Sequence, residues 1–159
     1  MTTAIYPGSF DPITNGHLDI VKRASSIFDK VVVGIYDIPQ KTLLFTMEER
    51  VDLARKAVEN LKNVEVIAYS GITVGFAQKI KAHVLVRGLR ANSDFEREFE
   101  MALMNKKLAP DIELVCFMAN LKYQFLSSSL LKEIIKLGGN LDDMVPPHVC
   151  EALKKKLLP

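Results

Sequence analysis

The residues best suited to chemistry lie near the amino terminus, in the stretch from Pro7 to His17. A polar loop containing glycine runs there into an amphipathic helix, and the N–H groups and dipole of a helix N-terminus favour phosphate. Thr14, Gly16 and His17 follow a T-x-G-H pattern, in which Gly16 lets the backbone approach a phosphate while His17 projects from the first helical turn. An imidazole N–H can stabilise phosphate oxygens that gain charge in a transition state. The segment predicts a phosphate site with His17 as a catalytic residue.

The same loop lacks the two commonest phosphate-binding patterns. It contains neither G-x-G-x-x-G nor G-x-x-x-x-G-K-[ST], which are the loops of dinucleotide-binding proteins and of P-loop enzymes. A hydride-transfer dehydrogenase and a P-loop kinase are therefore both disfavoured. Arg87 ends a later apolar run and Arg90 follows it, and a guanidinium at a strand end can contact phosphate in a bidentate manner.

Short apolar runs rich in β-branched residues alternate with segments of helical periodicity. The runs are 4–6, 31–36, 64–68, 84–87 and 112–118, and the helical segments between them are 16–28, 46–60, 73–81 and 93–108. Short runs of this kind are typical of strands buried on both faces of a parallel sheet. The pattern predicts an α/β fold: a single doubly wound Rossmann-like domain over 1–159 with a five-stranded parallel sheet and a C-terminal helical segment. Such sheets bind ligands at the carboxyl ends of their strands.

Several helix boundaries carry their own signals. Thr46 and Glu49 have the spacing of a capping box, and Pro110 stops the fourth helical segment. The serines at 127–129 offer N-cap hydroxyls to a fifth helix, and the prolines at 146–147 open a last one.

Composition excludes several classes of protein. The 159 residues include 21 basic and 19 acidic side chains, whose near balance and interspersion argue against nucleic-acid binding. No apolar run approaches the roughly 20 residues that span a bilayer, so no membrane association is expected. Cys116 lies in an apolar run and is expected in the core, and Cys150 is the only other cysteine. Two unpaired cysteines favour a reducing compartment, with the cytoplasm as the predicted location.

Three motifs carry a resemblance to a known family. They are 4–12 with the T-x-G-H motif at 14–17, the block 87–90 followed by Asp94, Phe95, Glu96 and Glu98, and the segment 125–129. Together they resemble the nucleotidylyltransferase superfamily and, within it, the bacterial phosphopantetheine adenylyltransferases. The likeness covers almost the whole chain.

The resemblance implies a reaction. The adenylyl group of ATP would pass to 4'-phosphopantetheine, giving dephospho-coenzyme A and pyrophosphate, by direct in-line attack without a covalent enzyme intermediate. Mg²⁺ would be held mainly through the ATP phosphates, with no metal-binding residues in the chain. The family also implies a homohexamer and coenzyme A as a feedback inhibitor.

The resemblance also implies roles for individual residues. The catalytic residues would be His17, Lys41, Arg90 and Ser128. The acceptor would be bound by Ser9, Lys41 and Arg87, and by Thr73 through its backbone. ATP would be bound by Ser9, Phe10, His17, Gly88, Leu89, Arg90, Glu98, Tyr123, Gln124, Phe125, Leu126, Ser127, Ser128 and Ser129. Gly88, Leu89 and Arg90 are expected to form a turn against the nucleotide, and Glu98 to accept hydrogen bonds from the ribose.

Three residues, at two places in the chain, depart from the family pattern. Arg97 stands where tyrosine is more usual, and Tyr123-Gln124 replaces a pair that often contains tryptophan. Changed adenine-side contacts, effector binding and subunit packing all stay open as consequences of Arg97.

Alternative functions stay open as well. T-x-G-H is shared with cytidylyltransferases and nicotinamide mononucleotide adenylyltransferases, although the blocks at 87–98 and 125–129 favour the phosphopantetheine family. A phospho-receiver needs an aspartate after the third strand, and the segment 69–73 has none. A flavin-binding module would leave His17 and the two arginines without a purpose. The apolar residues Phe99, Met101, Leu103 and Met104 could form a subunit contact, but burial in the core is their more usual use.

Overall fold

A computed structural model describes residues 1–37, 43–90 and 92–158. Five parallel strands form one sheet in the order β3-β2-β1-β4-β5. The strands are β1 (Thr3–Gly8), β2 (Lys30–Tyr36), β3 (Val64–Tyr69), β4 (Val84–Leu89) and β5 (Glu113–Met118). This order is the doubly wound arrangement in which the chain reverses direction across the sheet beside β1. The predicted α/β Rossmann-like fold with five parallel strands is confirmed.

Six α-helices and one 3₁₀ turn connect or follow the strands in the described part of the chain. They are α1 (Asn15–Ser25), α2 (Met47–Val58), α3 (Thr73–Lys79), α4 (Asn92–Leu108), α5 (Ser128–Lys136) and α6 (Pro147–Leu157), with the 3₁₀ turn at Leu121–Tyr123. None of the described helices is long and apolar enough to cross a membrane.

The helices pack on both faces of the sheet. Ala4, Val31 and Val33 point into a core shared with α1, α2, α5 and α6. The alternate residues Ile5 and Val32 point to the opposite face, where a smaller core includes residues of α3. Strands that are buried on both faces must be apolar throughout, which is why their sequences read as continuous runs.

The pairing of β1 with β4 leaves a crevice between the carboxyl ends of these two strands. β1 pairs with β2 along its whole length, from Thr3 to Gly8. With β4 it pairs only at Ala4 and Ile5, although both strands continue beyond that point. The carboxyl ends of β1 and β4 therefore separate, and the space between them is the switch point where such sheets bind ligands.

The helix boundaries follow the sequence signals. Thr46 Oγ1 accepts the Glu49 N–H at 3.2 Å, and a Glu49 carboxylate oxygen accepts the Thr46 N–H at 2.8 Å. Ser127 Oγ accepts the Leu130 N–H at 3.1 Å at the start of α5. The capping box and the serine cap are thus confirmed.

Three local expectations are wrong. Gly88 and Leu89 do not form a turn, because β4 continues through both and pairs them with Phe117 and Met118 of β5. α1 ends at Ser25 rather than at residue 28. Cys116 is exposed rather than in the core, since β5 is an edge strand.

The apolar residues of α4 are not in the core either. Six of them are between 49% and 60% exposed: Phe95, Phe99, Met101, Leu103, Met104 and Leu108. They are spread around the helix instead of following one stripe, so one packing face cannot cover them all.

Candidate active site

A cavity of about 500 Å³ lies in the crevice between β1 and β4. The first turns of α1 and α5 and one side of α4 also line it. Eleven of the predicted site residues line it: Ser9, Phe10, His17, Arg87, Gly88, Arg90, Glu98, Tyr123, Leu126, Ser127 and Ser128. Residues that are far apart in the sequence thus meet at one place.

Other predicted residues lie elsewhere. Outside the cavity lining are Thr73, Leu89, Gln124, Phe125 and Ser129. Leu89 is buried, while Phe125 is exposed, and Thr73 Oγ1 shares a hydrogen bond with the Tyr69 hydroxyl at 3.0 Å. Lys41 lies outside the described residues.

His17 is fixed by a reciprocal hydrogen-bonded cap with Thr14. The Thr14 N–H donates to Nδ1 of His17 at 3.1 Å, and the His17 N–H donates to Thr14 Oγ1 at 3.2 Å. A neutral imidazole carries its proton on the nitrogen that does not accept. The proton therefore resides on Nε2, which has no acceptor among the described residues and is available to a ligand in the cavity.

The surroundings keep His17 uncharged. Burial, together with the positive charges of Arg90 and Arg87, lowers the pKa of His17 to about 4. Its imidazole is neutral at pH 7 and offers an N–H donor rather than a cation. This state suits electrostatic stabilisation of phosphate oxygens more than proton transfer.

Aromatic packing holds the same imidazole from the side. The Phe10 ring meets the His17 ring edge-on, with centroids 5.0 Å apart, and meets the Tyr6 ring at 5.4 Å. A Cβ on Gly8 would lie 3.0 Å from the Phe10 ring, so a larger residue there would displace it. Burial raises the pKa of Tyr6 far above its usual value, which keeps the phenol protonated.

The two predicted arginines are each held by a carboxylate. Arg87 donates from Nε and Nη2 to the two oxygens of Glu98 at 2.8 and 2.5 Å, and from Nη1 to the Pro7 carbonyl at 3.0 Å. Burial opposes the charge of Arg87, but Glu98 raises the pKa of the guanidinium above its usual value. Both side chains are thereby fixed at the cavity wall with the arginine charged.

Arg90 links the end of β4 to the segment before α5. Its Nε donates to Asp94 at 3.0 Å, and its Nη1 donates to the Leu126 carbonyl at 3.0 Å. Arg97 of α4 also lines the cavity, so three arginines lie around it, two of them paired with Glu98 and Asp94. A guanidinium fork matches the geometry of carboxylate and phosphate oxygens.

Two helix N-termini complete the site. Gly16 and Ser128 lie in the first turns of α1 and α5, and both line the cavity. The Ser128 hydroxyl donates to the Pro12 carbonyl at 2.8 Å, so its backbone N–H is the group left to meet a ligand. A Cβ on Gly16 would lie 3.3 Å from Cβ of Tyr123; this glycine also permits close packing of the two segments.

Sequence reasoning gave Tyr6 and Tyr36 no role, used Asp94 only as part of a motif, and left the consequence of Arg97 open. Tyr6 and Tyr36 stand at or near strand ends, and Asp94 and Arg97 are one helical turn apart on α4. The spacing of Asp94 and Arg97 could have placed both beside Glu98. Nothing in the sequence marks the two tyrosines as more than ordinary strand residues.

A buried ion pair secures the loop between β1 and α1. The carboxylate of Asp11, which is 3% exposed, accepts the N–H groups of Leu44 and Phe45 at 3.0 and 2.9 Å and the Lys132 ammonium at 2.7 Å. Burial alone would raise the pKa of Asp11, but these hydrogen bonds hold it below its usual value. The loop is thereby tied to the segment before α2 and to α5.

Replacing Asp11 with asparagine is expected to lower the free energy of unfolding by about 2–3 kcal/mol, because Lys132 loses its counter-charge in a mostly buried place. The matched control is Asp19→Asn, which breaks the more exposed pair with Arg23 and should cost less than about 1 kcal/mol. Urea unfolding measures both. The carboxylate's contribution is present at neutral pH and lost as the pH falls through its lowered pKa. Equal stabilities of Asp11→Asn and the wild type would contradict the account.

The sheet order defines a Rossmann-like α/β protein, and its cavity lies at the switch point of the sheet. Residues 5–134 match the family model described as cytidylyltransferase-like. A phosphopantetheine adenylyltransferase of Roseiflexus sp. (strain RS-1) is 54% identical over 155 residues, covering 98% of this chain and 97% of the relative. One from Clostridium tetani is 53% identical over 156 residues, covering 98% of each. The chain therefore belongs to the cytidylyltransferase-like family and, within it, to the phosphopantetheine adenylyltransferases, which are nucleotidyltransferases.

A solved structure supports the fold. A putative nicotinate-nucleotide adenylyltransferase from Vibrio parahaemolyticus superposes with a TM-score of 0.74, covering 98% of this chain and 93% of its own. At 19% sequence identity this likeness speaks for the fold alone.

Proposed function

We propose that this chain transfers the adenylyl group of ATP to 4'-phosphopantetheine in the cytoplasm, releasing dephospho-coenzyme A and pyrophosphate. The observation that carries the transfer chemistry is the neutral His17, whose Nε2–H is available between two helix N-termini and three guanidinium groups. The choice of substrates rests on the relatives' names, which apply over nearly the full chain.

The proposed reaction is a direct displacement at the α-phosphorus of ATP. An oxygen of the acceptor phosphate forms the new bond to that phosphorus, on the side opposite pyrophosphate. The bond to the oxygen shared with the β-phosphorus breaks, and pyrophosphate leaves with the electron pair. No proton has to move when the acceptor phosphate is already ionised. The protein's part is to align two anions and to stabilise the charge that shifts between them.

Each group at the cavity has a part in that scheme. The Nε2–H of His17 donates to an oxygen of the α-phosphate as its charge grows. The backbone N–H groups at the starts of α1 and α5, with Arg90, hold the other phosphates of ATP. Arg87, Ser9 and Lys41 bind the acceptor phosphate, and Thr73 contacts the pantetheine arm through its backbone.

Glu98 has two proposed partners. It accepts two hydrogen bonds from Arg87, and it can accept another from the ribose with a remaining lone pair.

Coenzyme A, which carries the same pantetheine and adenylyl parts as the product, would compete for the cavity as a feedback inhibitor.

Magnesium would arrive with ATP. Among the described residues no group of three His, Cys, Asp or Glu side chains could hold a metal ion. Oxygen ligands from the nucleotide and from water would therefore supply most of its coordination, as Mg²⁺ commonly prefers. When bound, the ion neutralises part of the phosphate charge.

The direct displacement can be tested by stereochemistry. The reaction of 4'-phosphopantetheine with a single diastereomer of ATP carrying sulfur on the α-phosphorus should give a product with inverted configuration at that phosphorus. ³¹P NMR of the product reports the configuration. Retention would contradict direct transfer, because it requires two displacements and a covalent intermediate.

We further propose that the chain forms a homohexamer through the exposed apolar residues of α4. These residues and Met118 on the edge strand β5 are each about half exposed or more, and exposed apolar side chains close together are typical of subunit contacts. The hexameric number comes from the family resemblance, and the exposed helix supports association in general.

Replacing Met104 with glutamate is expected to break this assembly, because it introduces a charge into the apolar contact. Light scattering after size exclusion should give about six times the protomer mass of 17.8 kDa for the wild type and a smaller mass for the variant. Ile27→Glu, which charges an exposed apolar position after α1, is the matched control and should leave the mass unchanged. A wild-type mass of one protomer would contradict the proposal.

A further inference from the structure

Arg50 is a buried cation that the site described above does not use. It lies in the first turns of α2 and is 1% exposed. Its Nη1 donates to the Ser9 carbonyl at 2.7 Å and to the Tyr36 carbonyl at 3.0 Å, while its Nε has no hydrogen-bond partner. Within the described part of the chain it forms no ion pair. Burying a charge with so few partners is costly, which directs attention to the two carbonyls that Arg50 binds.

The two carbonyls mark the place where β1 and β2 part. The last residue pair between these strands is Gly8 with Ile35, so Ser9 and Tyr36 lie just beyond the ladder. Their carbonyls form no hydrogen bond between β1 and β2, and Nη1 of Arg50 donates to both of them instead. Arg50 therefore fixes the start of the loop that leads to His17 and the end of β2 that leads toward Lys41.

The hydrogen bond from Arg50 to the Ser9 carbonyl sets the direction of the Phe10 N–H. In a planar trans peptide the C=O and N–H bonds point in opposite directions. Because the Ser9 carbonyl is held toward Arg50, the Phe10 N–H points away from it. Ser9 and Phe10 line the cavity whereas Arg50 does not, and the Phe10 N–H has no acceptor among the described residues. The N–H consequently faces the cavity.

The conformation that achieves this is strained. Phe10 has a φ of 45°, which lies in the left-handed region that residues other than glycine rarely adopt. Such strain persists only where the surroundings hold it. The Phe10 ring is anchored by Tyr6 and His17, and the only described side chain that grips the peptide before Phe10 is Arg50.

We infer that Arg50 is a positioning residue that presents the Phe10 N–H to a phosphate oxygen of the ligand in the cavity. The inference rests on the proposed function in that the ligand is taken to be the triphosphate of ATP. Arg50 itself touches no substrate and acts through the Ser9–Phe10 peptide.

One amide resonance tests this directly. Ser9–Phe10 is the only Ser-Phe pair in the sequence. Labelling serine with ¹³C at the carbonyl and phenylalanine with ¹⁵N therefore selects the Phe10 amide alone in a carbonyl-filtered spectrum. Addition of ATP, or of sodium tripolyphosphate as a probe without a nucleoside, is expected to shift this resonance downfield in the wild type. An unmoved resonance when either ligand binds would overturn the inference without any variant.

Variants separate positioning from plain structural support. Arg50→Lys keeps a charge but cannot serve both carbonyls equally, and Arg50→Met removes the charge. The dissociation constant for ATP should rise at least about tenfold in Arg50→Lys and further in Arg50→Met, since one charge-assisted hydrogen bond is lost or misdirected. The matched control is Arg55→Lys, an exposed position on the same helix, which should bind ATP and shift Phe10 as the wild type does.

The outcomes distinguish this inference from the proposed function. If Arg50→Lys lowers the urea midpoint but keeps the wild-type ATP affinity and Phe10 shift, Arg50 is only structural and the inference fails. Tripolyphosphate could instead shift the Phe10 resonance in the wild type but not in the Arg50 variants, while the wild type makes no product from ATP and 4'-phosphopantetheine. In that case the proposed function fails and the inference stands. Should both variants fail to fold, an unmoved Phe10 resonance in the wild type would still overturn the inference.

Discussion

Replacing His17 with asparagine is expected to lower the turnover number by about 10²–10³-fold, the usual cost of losing one donor to a charged transition state. Asparagine places its Oδ1 near the position of Nδ1, so it can still accept the Thr14 N–H that His17 accepts at 3.1 Å. It has no group that reaches the place of Nε2. The loss should therefore fall on turnover, with little change in ATP affinity or in the free energy of unfolding.

The complementary variant, His17→Gln, makes this prediction sharper. Glutamine can place an amide N–H near the position of Nε2 but cannot accept from Thr14. It should keep more turnover than asparagine and lose about 0.5–2 kcal/mol of stability with the cap. Steady-state kinetics, ATP binding by calorimetry and urea unfolding measure the three quantities. A His17→Asn variant that loses ATP affinity and turnover in equal measure would show that His17 binds the ground state.

The state of His17 also sets the expected pH profile. Its pKa is lowered to about 4, so the ring stays neutral from pH 8 down to about pH 5. The unfolded chain would protonate the same residue near its ordinary pKa of 6.5, so this group's contribution to stability is lost as the pH falls from about 6.5 toward 4. The pH dependence of activity near pH 6.5 should therefore be the same in the wild type and in His17→Asn, because His17 does not titrate there.

Replacing Arg87 with lysine is expected to raise the KM for 4'-phosphopantetheine by about 10–100-fold with a much smaller change in the KM for ATP. Lysine cannot reproduce the two parallel hydrogen bonds to Glu98 together with the third to the Pro7 carbonyl, and a fork matches phosphate better than a point charge does. Initial rates measured against each substrate in turn separate the two effects.

The matched control for Arg87 is Arg23→Lys. Arg23 has a similar exposure and also pairs with a carboxylate, Asp19, but it lies outside the cavity. That variant should leave both KM values unchanged. An Arg87→Lys enzyme with the wild-type KM for the acceptor would remove Arg87 from the acceptor site.

The fold was predictable because both of its signals are local. Strands buried on two faces must be short apolar runs, and the capping box at Thr46 and Glu49 is written in four consecutive residues. The cavity was predictable to the extent that it forms at strand ends: Ser9 directly follows β1, His17 lies in the first turn of the next helix, and Arg87 lies near the end of β4. The strand limits were harder, because Gly88 looks like a turn residue although β4 pairs through it.

The misplaced residues reflect information that a sequence does not contain. Phe125 and Ser129 neighbour lining residues, but local backbone direction turns them away from the cavity. Arg50 stands among the charged residues of an amphipathic helix and reads as part of its solvent face, whereas packing against the loop buries it. The exposed apolar residues of α4 read as core because periodicity cannot show what covers a helix.

The central claim is that this chain joins the adenylyl group of ATP to 4'-phosphopantetheine. Pyrophosphate release in the presence of Mg²⁺ tests it when 4'-phosphopantetheine is compared with nicotinamide mononucleotide and glycerol 3-phosphate, and ATP with CTP. We predict release with ATP and 4'-phosphopantetheine and with no other pair. Release with a different acceptor or with CTP, and none with the named pair, would contradict the account.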